Sequence, residues 1–430
     1  MTPDVAVIGL GKIGLPLAVQ VAGKGFRVRG ADISARVVGL VSGGSVPFPG
    51  EPGLADRLRD VTGSGLLTAT TDTAAAVAAS DAVIVVVPLV TDSAGQPDFG
   101  AVDSATAAVA AGLRPGTLVS YETTLPVHTT RRRLAAALAV GSGLAPGRDF
   151  ALCHSPERVS SGRVFADLRR YPKLVGGIDG HSGARAEAFY RSVFDFDERP
   201  DLPRPNGVWD LGSPEATEFA KLAETTYRDV NIALANEFAE ISDGFSIDPI
   251  EVIDAAASKP YGFMAFHPGP GVGGHCIPCD PHYLLWQLRA TQNSAPLVTQ
   301  AMQAIAERPR QVVDRILNTL SRNGKGMAGA RILVVGVTYK PGVQDVRSSS
   351  ALDIIDLLAE KGAKVGYYDP LVPNVRVTGG SLDTVAEPAG EDWDVALIHT
   401  IQPGQGYDWL GDVETVIDAT YRFDPALFAA

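Results

Sequence analysis

The segment DVAVIGLGKIG, residues 4–14, constrains the fold of this chain more than any other. Gly9, Gly11 and Gly14 form G-x-G-x-x-G directly after an apolar run, Val5–Ile8, and at the head of a stretch with helical spacing. That context dictates a strand, a tight turn and a helix. Gly9 permits the turn, Gly11 lets backbone approach a pyrophosphate, and Gly14 lets helix and strand pack closely. The helix N-terminus, with Lys12 and Ile13 in the same turn, offers unpaired N–H groups and a positive dipole end to phosphate oxygens. Phe26–Ala31 reads as a second strand. Asp32 stands at its end, about twenty residues past the loop, where an acid binds the ribose hydroxyls of a dinucleotide. A carboxylate there repels a 2′-phosphate, so NAD is expected in preference to NADP. Arg36 could reverse this, but its spacing places it a helical turn away. A glycine pattern alone also fits an ordinary turn beside a surface Asp; the strand–helix–strand context decides for the dinucleotide.

The alternation continues. Ala82–Val87 and Thr117–Tyr121 are apolar runs, separated by Ala-rich stretches with helical spacing at Thr71–Ala79 and Val102–Ala111. Buried parallel strands read as continuous apolar runs, so the first part is a doubly wound α/β domain. A chain of 430 residues is too long for one core. The Pro- and Asp-rich stretch Asp195–Asn206 marks a first boundary. A long helix is predicted over Ser213–Gly244, with Ser213 and Pro214 at its start and Gly244 placed to end it. The Gly/Pro-rich segment Lys259–Pro281 carries too many breakers for regular structure. After a linker at Ser321–Ala328, a strand at Arg331–Val337, a helix at Ala351–Lys361 and a strand at Lys364–Tyr368 ending in Asp369 form a further βαβ unit. Three domains are expected: 1–205 for the dinucleotide, 206–320 as a central helical domain, and 321–430 as a second Rossmann-like domain. The two α/β parts have the order of distant repeats, but their sequences do not show it clearly.

The formal net charge of -12 argues against phosphate-backbone binding, so no nucleic-acid partner is expected. No apolar run reaches membrane-spanning length, and the first residues have no basic, signal-like region. Cys153, Cys276 and Cys279 are too few for a disulfide framework, which points to a reducing cytoplasm.

Residues 268–284 read PGPGVGGHCIPCDPHYL. The glycines let backbone approach a ligand closely, and Cys276 follows the glycine run with Asp280 four residues on. Three readings of the cysteines stand: a catalytic thiolate, a metal or redox cluster of Cys276, Cys279 and His282, and buried structural thiols. No second C-x-x-C supplies a fourth metal ligand, so no metal is expected. Beside a dinucleotide site a thiol has a specific use, the capture of an aldehyde for a second oxidation.

These segments resemble the UDP-glucose / UDP-N-acetylglucosamine / UDP-N-acetylmannosamine 6-dehydrogenase family over nearly the whole chain. The resemblance rests on GLGKIGLPLAV (9–19), EPGL (51–54), Val87–Pro88, TTLP (123–126), SPERVSSGRV (155–164), KLAETTYRDVNIALANE (221–237), GPGVGGHCIPCDP (269–281) and KPGVQDVR (340–347). Their order and spacing together are specific. The resemblance implies two Rossmann-like domains joined by a long helix that carries a homodimer interface, with active sites between the domains. It implies Cys276 as nucleophile, Lys221 as stabiliser of developing oxyanions, and Asp280 as the aspartate that orders water. Glu157 then takes acid/base and hydrolytic steps, with Thr124 as its water-binding partner. Val87, Pro88, Thr124 and Arg347 would touch the cofactor. Arg158, Lys259, Phe263, Phe266, Gly273 and Lys340, with Glu157 and Lys221, would touch a nucleoside-diphosphate hexose. Without the resemblance, Lys221, Glu157 and Arg347 would read as surface charges.

Some positions depart from the family pattern. Thr225 replaces the usual Asn one turn after Lys221, His128 stands where Gly is common, and Leu89 follows the Val–Pro pair where Thr is usual. Cys279 is also unusual; a reversible Cys276–Cys279 disulfide is one reading of it, and a structural thiol the favoured one. The expected reaction is the four-electron oxidation of C6 of UDP- or dTDP-glucose to the uronic acid. Similarity to nucleotide-glucose dehydrogenases of actinobacterial antibiotic pathways, of the calicheamicin type, tips the choice towards glucose. The segments SPERV and KPYGFMAFHPGPGVGGHCIPCDP point instead to the N-acetylhexosamine branch, which is the alternative.

Overall fold

Apolar four- and five-residue runs become the buried strands of this protein, and the alanine-rich stretches between them become the covering helices. The computed structural model describes residues 3–92, 94–274 and 277–423. The chain divides into two compact units, residues 1–224 with 282–291 and residues 225–281 with 292–430.

The first unit holds β1 (Val5–Ile8), β2 (Val28–Ala31), β3 (Leu67–Thr70), β4 (Ala82–Val85), a small hairpin of β5 (Val90–Thr91) and β6 (Pro97–Asp98), β7 (Leu118–Tyr121), β8 (Ala151–His154), β9 (Lys173–Gly177) and β10 (Val208–Asp210). Its helices are α1 (Gly14–Gly23), α2 (Ala35–Ser42), α3 (Leu54–Gly63), α4 (Thr73–Ala78), α5 (Gly100–Gly112), α6 (Ala135–Ser142), α7 (Val164–Arg170) and α8 (Gly180–Val193). Eight strands form one sheet in the order β10-β9-β8-β7-β4-β1-β2-β3. From β3 to β8 all neighbours are parallel, whereas β9 joins β8 antiparallel. The order reverses between β1 and β4, and ligands of such sheets bind outside the carboxyl ends of the strands at that point.

The predicted strands 26–31, 82–87 and 117–121 are shorter than expected, as is 331–337, which is strand only over 331–335. Val86 and Val87 leave the ladder after β4 because they pass against the first glycine turn; a Cβ on Gly9 would lie 2.4 Å from the Val86 carbonyl oxygen. Phe26 precedes β2 and packs edge-on against Phe189 of α8.

The long helix α9 (Pro214–Phe245) matches the sequence expectation closely. The Ser213 hydroxyl accepts the Ala216 N–H at its start. Its end differs from expectation. Gly244 stays in the helix, and Ser246 takes the left-handed conformation (φ 58°), with the Ile247 N–H bonded to the Ser242 carbonyl. That is the closure usually made with glycine, here one position past the glycine and a residue more.

Then follow α10 (Pro249–Ala257), α11 (Asp280–Ala290) and α12 (Pro296–Arg322). Between α10 and α11 no described residue lies in a helix or strand. The second unit also contains β11 (Arg331–Val335), α13 (Ser350–Glu360), β12 (Lys364–Tyr368), the hairpin β13 (Asn374–Val377) and β14 (Gly380–Asp383), β15 (Val395–Ile398) and β16 (Val416–Asp418). Its parallel sheet has the order β12-β11-β15-β16.

The two sheets repeat one device that the sequences conceal. Gly9 N–H donates to Ala31 O at 2.8 Å, and Gly336 N–H donates to Tyr368 O at 2.8 Å. Both glycines have positive φ (94° and 81°), and a Cβ on either would strike a carbonyl oxygen of the adjacent strand's exit, Val86 or Thr400. Asp32 accepts Leu10 N–H after β2, and Asp369 accepts Val337 N–H after β12. Among the described residues no helix is long and apolar enough to cross a membrane.

Candidate active site

The glycine turn after β1 fits a dinucleotide. A Cβ on Gly14 would lie 1.9 Å from the Gly9 carbonyl oxygen, so turn and helix interlock only without side chains. Around Gly11 nothing lies within 4 Å of a Cβ position, which leaves an open face. α1 has no side-chain cap at Ile13, and its Leu15 N–H turns back to the Gly11 carbonyl at 3.1 Å, so the positive end of the helix dipole is what the turn presents to an anion. Asp32 is oriented by Leu10 N–H on Oδ2 (2.8 Å) and Ser34 N–H on Oδ1 (2.9 Å), and each oxygen retains a lone pair for a ribose hydroxyl. Lys12 and Ile13 are half-buried in the turn, and Arg36 is exposed in the first turn of α2. Thr123 Oγ donates to the Val87 carbonyl at 2.6 Å, tying the exits of β4 and β7 together beside Pro88 and Thr124. Gly11→Ala and Gly14→Ala are therefore expected to separate. Gly14→Ala destabilises the fold by roughly 1–3 kcal/mol through overpacking against backbone. Gly11→Ala leaves the melting temperature of the free protein unchanged but removes most of the stabilisation by added NAD. Thermal melts with and without NAD check both.

Glu157 sits in the segment that leaves β8. Its Oε1 accepts the N–H groups of Arg158 (2.7 Å) and Val159 (3.2 Å), and its Oε2 accepts from Lys173 Nζ at 3.0 Å. Lys173, the first residue of β9, also donates to Glu122 Oε2 at 2.7 Å. The Tyr190 hydroxyl of α8 donates to Glu122 Oε1 at 2.5 Å. Side-chain exposure is 5% for Lys173, 0% for Glu122 and 10% for Glu157. Burial pushes the Glu122 carboxyl up to about 7 against the pull of Lys173. Burial also acts to raise Glu157, but the Lys173 ammonium and the Arg158 amide outweigh it and hold that carboxyl below its ordinary value. Arg158 is paired with Glu224 (Nε to Oε2, 2.7 Å). The far end of the segment is clamped by Glu51, whose carboxylate accepts Gly162 N–H (2.7 Å) and Val164 N–H (2.8 Å). Lys173, Glu122 and Tyr190 were not singled out from the sequence. The available signal was a lysine heading the apolar run KLVGG, where a buried strand tolerates a cation only with partners.

Lys221 and Thr225 lie one turn apart on α9 and are buried, 6% and 5% exposed. The surface-charge reading of Lys221 and Glu157 therefore does not hold; Arg347 keeps a half-exposed side chain, paired with Asp345 at 2.7 Å. Near the start of α9, Glu218 is fully buried and accepts the N–H groups of His128 (2.7 Å) and Thr130 (2.8 Å). His128 is left-handed (φ 70°), which is why glycine suits that position. Burial raises the Glu218 carboxyl from 4.5 to about 7, with the N–H bonds opposing. The folded state then holds this proton more tightly than the unfolded chain. Its contribution to stability is complete below pH 4.5 and is lost as pH rises through 7. Glu218→Gln should flatten this fall, worth about 3 kcal/mol at about 1.4 kcal/mol per pKa unit. Denaturant midpoints at both ends of the window, wild type against variant, measure it.

The Gly/Pro segment before α11 uses its glycines on the chain itself, where the sequence suggested a ligand. A Cβ on Gly273 would lie 2.6 Å from Tyr339 Cβ and 2.7 Å from the Ser348 carbonyl, and one on Gly271 would lie 2.6 Å from Ser350. Gly274 N–H donates to Arg347 O at 2.9 Å. The segment is anchored at Gly269, whose N–H donates to Asn236 Oδ1 and whose carbonyl accepts from Arg308 Nε, both at 2.9 Å. Phe266 packs its ring edge-on against Tyr227 of α9, Phe263 is half-buried, and Lys259 lies over the Tyr261 ring. Lys340 Nζ lies 5.8 Å from the Tyr339 ring centroid. Cys276 falls outside the described residues, and with it the disulfide reading of Cys279, which is itself partly buried. Asp280 opens α11 and is fully buried. Further along this helix, Tyr283 donates to the Leu89 carbonyl (2.8 Å), and Gln287 bonds both to Val127 N–H (3.0 Å) and to Val127 O (2.6 Å).

Residues 3–194 match the NAD-binding domain, 215–305 the central domain and 333–425 the UDP-binding domain of the UDP-glucose/GDP-mannose dehydrogenase family. The chain is 35% identical over 402 residues to the UDP-N-acetyl-D-mannosamine dehydrogenase of Pyrococcus horikoshii, covering 93% of this chain and 89% of that one. A solved structure of the UDP-D-ManNAc dehydrogenase from Pyrococcus horikoshii superposes with a TM-score of 0.87 at 30% identity, covering 98% and 96%. A UDP-glucose dehydrogenase from Pyrobaculum islandicum superposes with a TM-score of 0.85 at 26% identity, covering 98% and 95%.

Proposed function

Because the chain belongs to the UDP-glucose/GDP-mannose dehydrogenase family, and is an NAD-dependent nucleotide-sugar dehydrogenase, we propose that it oxidises C6 of a UDP-N-acetylhexosamine, UDP-N-acetylmannosamine first, to the uronic acid. The observation that carries the choice of sugar is the higher identity, at equal coverage of this chain, to the UDP-D-ManNAc dehydrogenase of Pyrococcus horikoshii (30%) than to the UDP-glucose dehydrogenase of Pyrobaculum islandicum (26%). UDP- or dTDP-glucose, favoured from the sequence, becomes the second reading, supported by the likeness to the Pyrobaculum islandicum enzyme.

Gly9–Gly14 and Asp32 would hold two NAD+ in turn, the first exchanged after reduction, and each would supply the acceptor for one hydride from C6. Glu157 and Thr124 handle the proton of the C6 hydroxyl and, later, the water. The Cys276 thiolate adds to the aldehyde carbon, forming the C–S bond, and Lys221 stabilises the resulting oxyanion. Loss of the second hydride leaves a thioester. Water ordered by Asp280 then attacks, the C–S bond breaks, and the thiolate returns. Thr225 presents a shorter hydrogen-bonding side chain than the usual Asn one turn after Lys221. Residues 1–205 bind NAD, 206–320 carry the nucleophile segment, and 321–430 bind the nucleotide, with Lys340 and Arg347 at its basic edge. A homodimer through α9 is supported by its exposed Tyr227, Leu234 and Ile241, which recur every seventh residue; sedimentation of the purified protein tests it.

The deciding experiment counts NADH per sugar consumed on UDP-N-acetylmannosamine, UDP-N-acetylglucosamine, UDP-glucose and dTDP-glucose. Two NADH on UDP-N-acetylmannosamine, with slow or no turnover of the glucose compounds, is expected. Turnover of a glucose compound alone would overturn the choice of sugar.

A further inference from the structure

We infer that Lys173 is the positioning residue that keeps Glu157 ionised and aimed, and that Glu122 and Tyr190 are the buried frame that holds this lysine in place. The role of Glu157 in proton transfer rests on the function proposed above; the charge arrangement does not.

The argument begins with the donors. An ammonium has three N–H groups. Two of those on Lys173 go to two different carboxylates, 2.7 Å to Glu122 and 3.0 Å to Glu157. If the lysine served only to neutralise one buried acid, a single pair would suffice. Glu122 has no opening to solvent and both of its oxygens are taken, one by Lys173 and one by Tyr190. It is therefore poorly placed to touch a substrate. The Tyr190 hydroxyl is in turn 2.8 Å from Ser120 Oγ, and its ring lies 5.0 Å from Lys173 Nζ. The chain Ser120–Tyr190–Glu122–Lys173–Glu157 thus joins β7, α8 and β9 to the segment after β8, and its one partly exposed end is Glu157.

The remaining titratable neighbours do not compete for this role. His154 of β8 is hydrogen-bonded to Thr123 O and Thr217 Oγ, and burial lowers it to about 4. Burial raises the Cys153 thiol to about 12 and the Tyr190 hydroxyl well above its ordinary value. Arg158, Asp167 and Tyr171 share with Glu157 and Lys173 the lining of a narrow recess. Of these, Arg158 is engaged by Glu224, and Asp167 lies 3.4 Å from Arg163. In the middle of the pH range the balance is set by two carboxyls and one ammonium. Lys173 supplies the only ammonium within that group of described side chains, and without it Glu157 faces a second acid in a dry site. A carboxyl so placed takes up a proton and ceases to be a base.

The test uses Lys173→Met, Lys173→Arg and the double variant Lys173→Met/Glu122→Gln, which removes both members of the inner ion pair and so leaves no unpaired charge at position 122 while Glu157 loses its ammonium. Titration of Glu157 is read without substrate, from the infrared carboxyl band that disappears when Glu157→Gln is added to each background. The midpoint is expected to rise by at least about one pH unit in the double variant and to stay within a few tenths of wild type in Lys173→Arg. The acid limb of the kcat–pH profile is expected to move with it, while melting temperature alone reports only packing. An unchanged Glu157 midpoint in a folded double variant overturns the inference. Wild-type protein that forms no NADH on any nucleotide sugar overturns the proposed function instead, and leaves the infrared titration to decide this one.

Discussion

Cys276→Ala is expected to yield at most one NADH per sugar and to lower complete turnover by at least about 10³-fold, the scale on which loss of a covalent nucleophile is felt elsewhere. The reason lies in the second oxidation. An aldehyde carbon cannot release a hydride to give an acid derivative until a nucleophile has added to it. A thiolate adds readily near neutral pH and leaves again on hydrolysis. Alanine offers neither step, and water must hydrate the aldehyde unaided. Single-turnover absorbance counts the NADH, and an aldehyde-trapping reagent captures the released intermediate. For the wild type, rapid quench followed by intact-mass measurement is expected to show one covalent sugar adduct. Two-NADH turnover by the alanine variant at an unreduced rate would remove Cys276 from the mechanism.

Lys221→Met is expected to lower kcat by roughly 10²–10³-fold, the cost of losing one donor to a developing oxyanion. KM and melting temperature should change little. Lys221 is 6% exposed on α9, and methionine fills nearly the volume of its aliphatic stem, so packing survives while the charge goes. A kcat within tenfold of wild type would leave Lys221 as a packing residue. Steady-state rates and a thermal melt on the same preparation separate the two.

Local signals carried much of the architecture. The glycine turn, the second strand and Asp32 are set by neighbours within about thirty residues, the size of one βαβ unit. α9 was legible because capping and breaking residues act within a turn: Ser213 and Pro214 do start it. Its closing left-handed position was misplaced by two residues, falling at Ser246 and not at Gly244. That choice depends on which turn closes best against the following chain, and composition does not reveal it. Glu157 and Lys221 looked like surface charges in isolation. The structure buries both: Glu157 lies against Lys173, which also holds Glu122 from another strand exit, and Lys221 is only 6% exposed on α9.

By itself the sequence determined the parts that local physics specifies: one glycine-initiated α/β sheet and a second βαβ unit, the long helix between them in the chain, a preference for NAD, and the residue types suited to thioester chemistry. Tertiary structure alone decided how the parts are used. Gly271, Gly273 and Gly274 are spent on close contact with residues 339–350, and Glu51 clamps a segment more than a hundred residues away. Lys173 gathers two carboxyls from different strand exits. A glycine records only that something comes close, and a buried charge only that some partner exists. Which group that is depends on non-local packing, where side chains from unrelated stretches must fill one space and satisfy one another's charges.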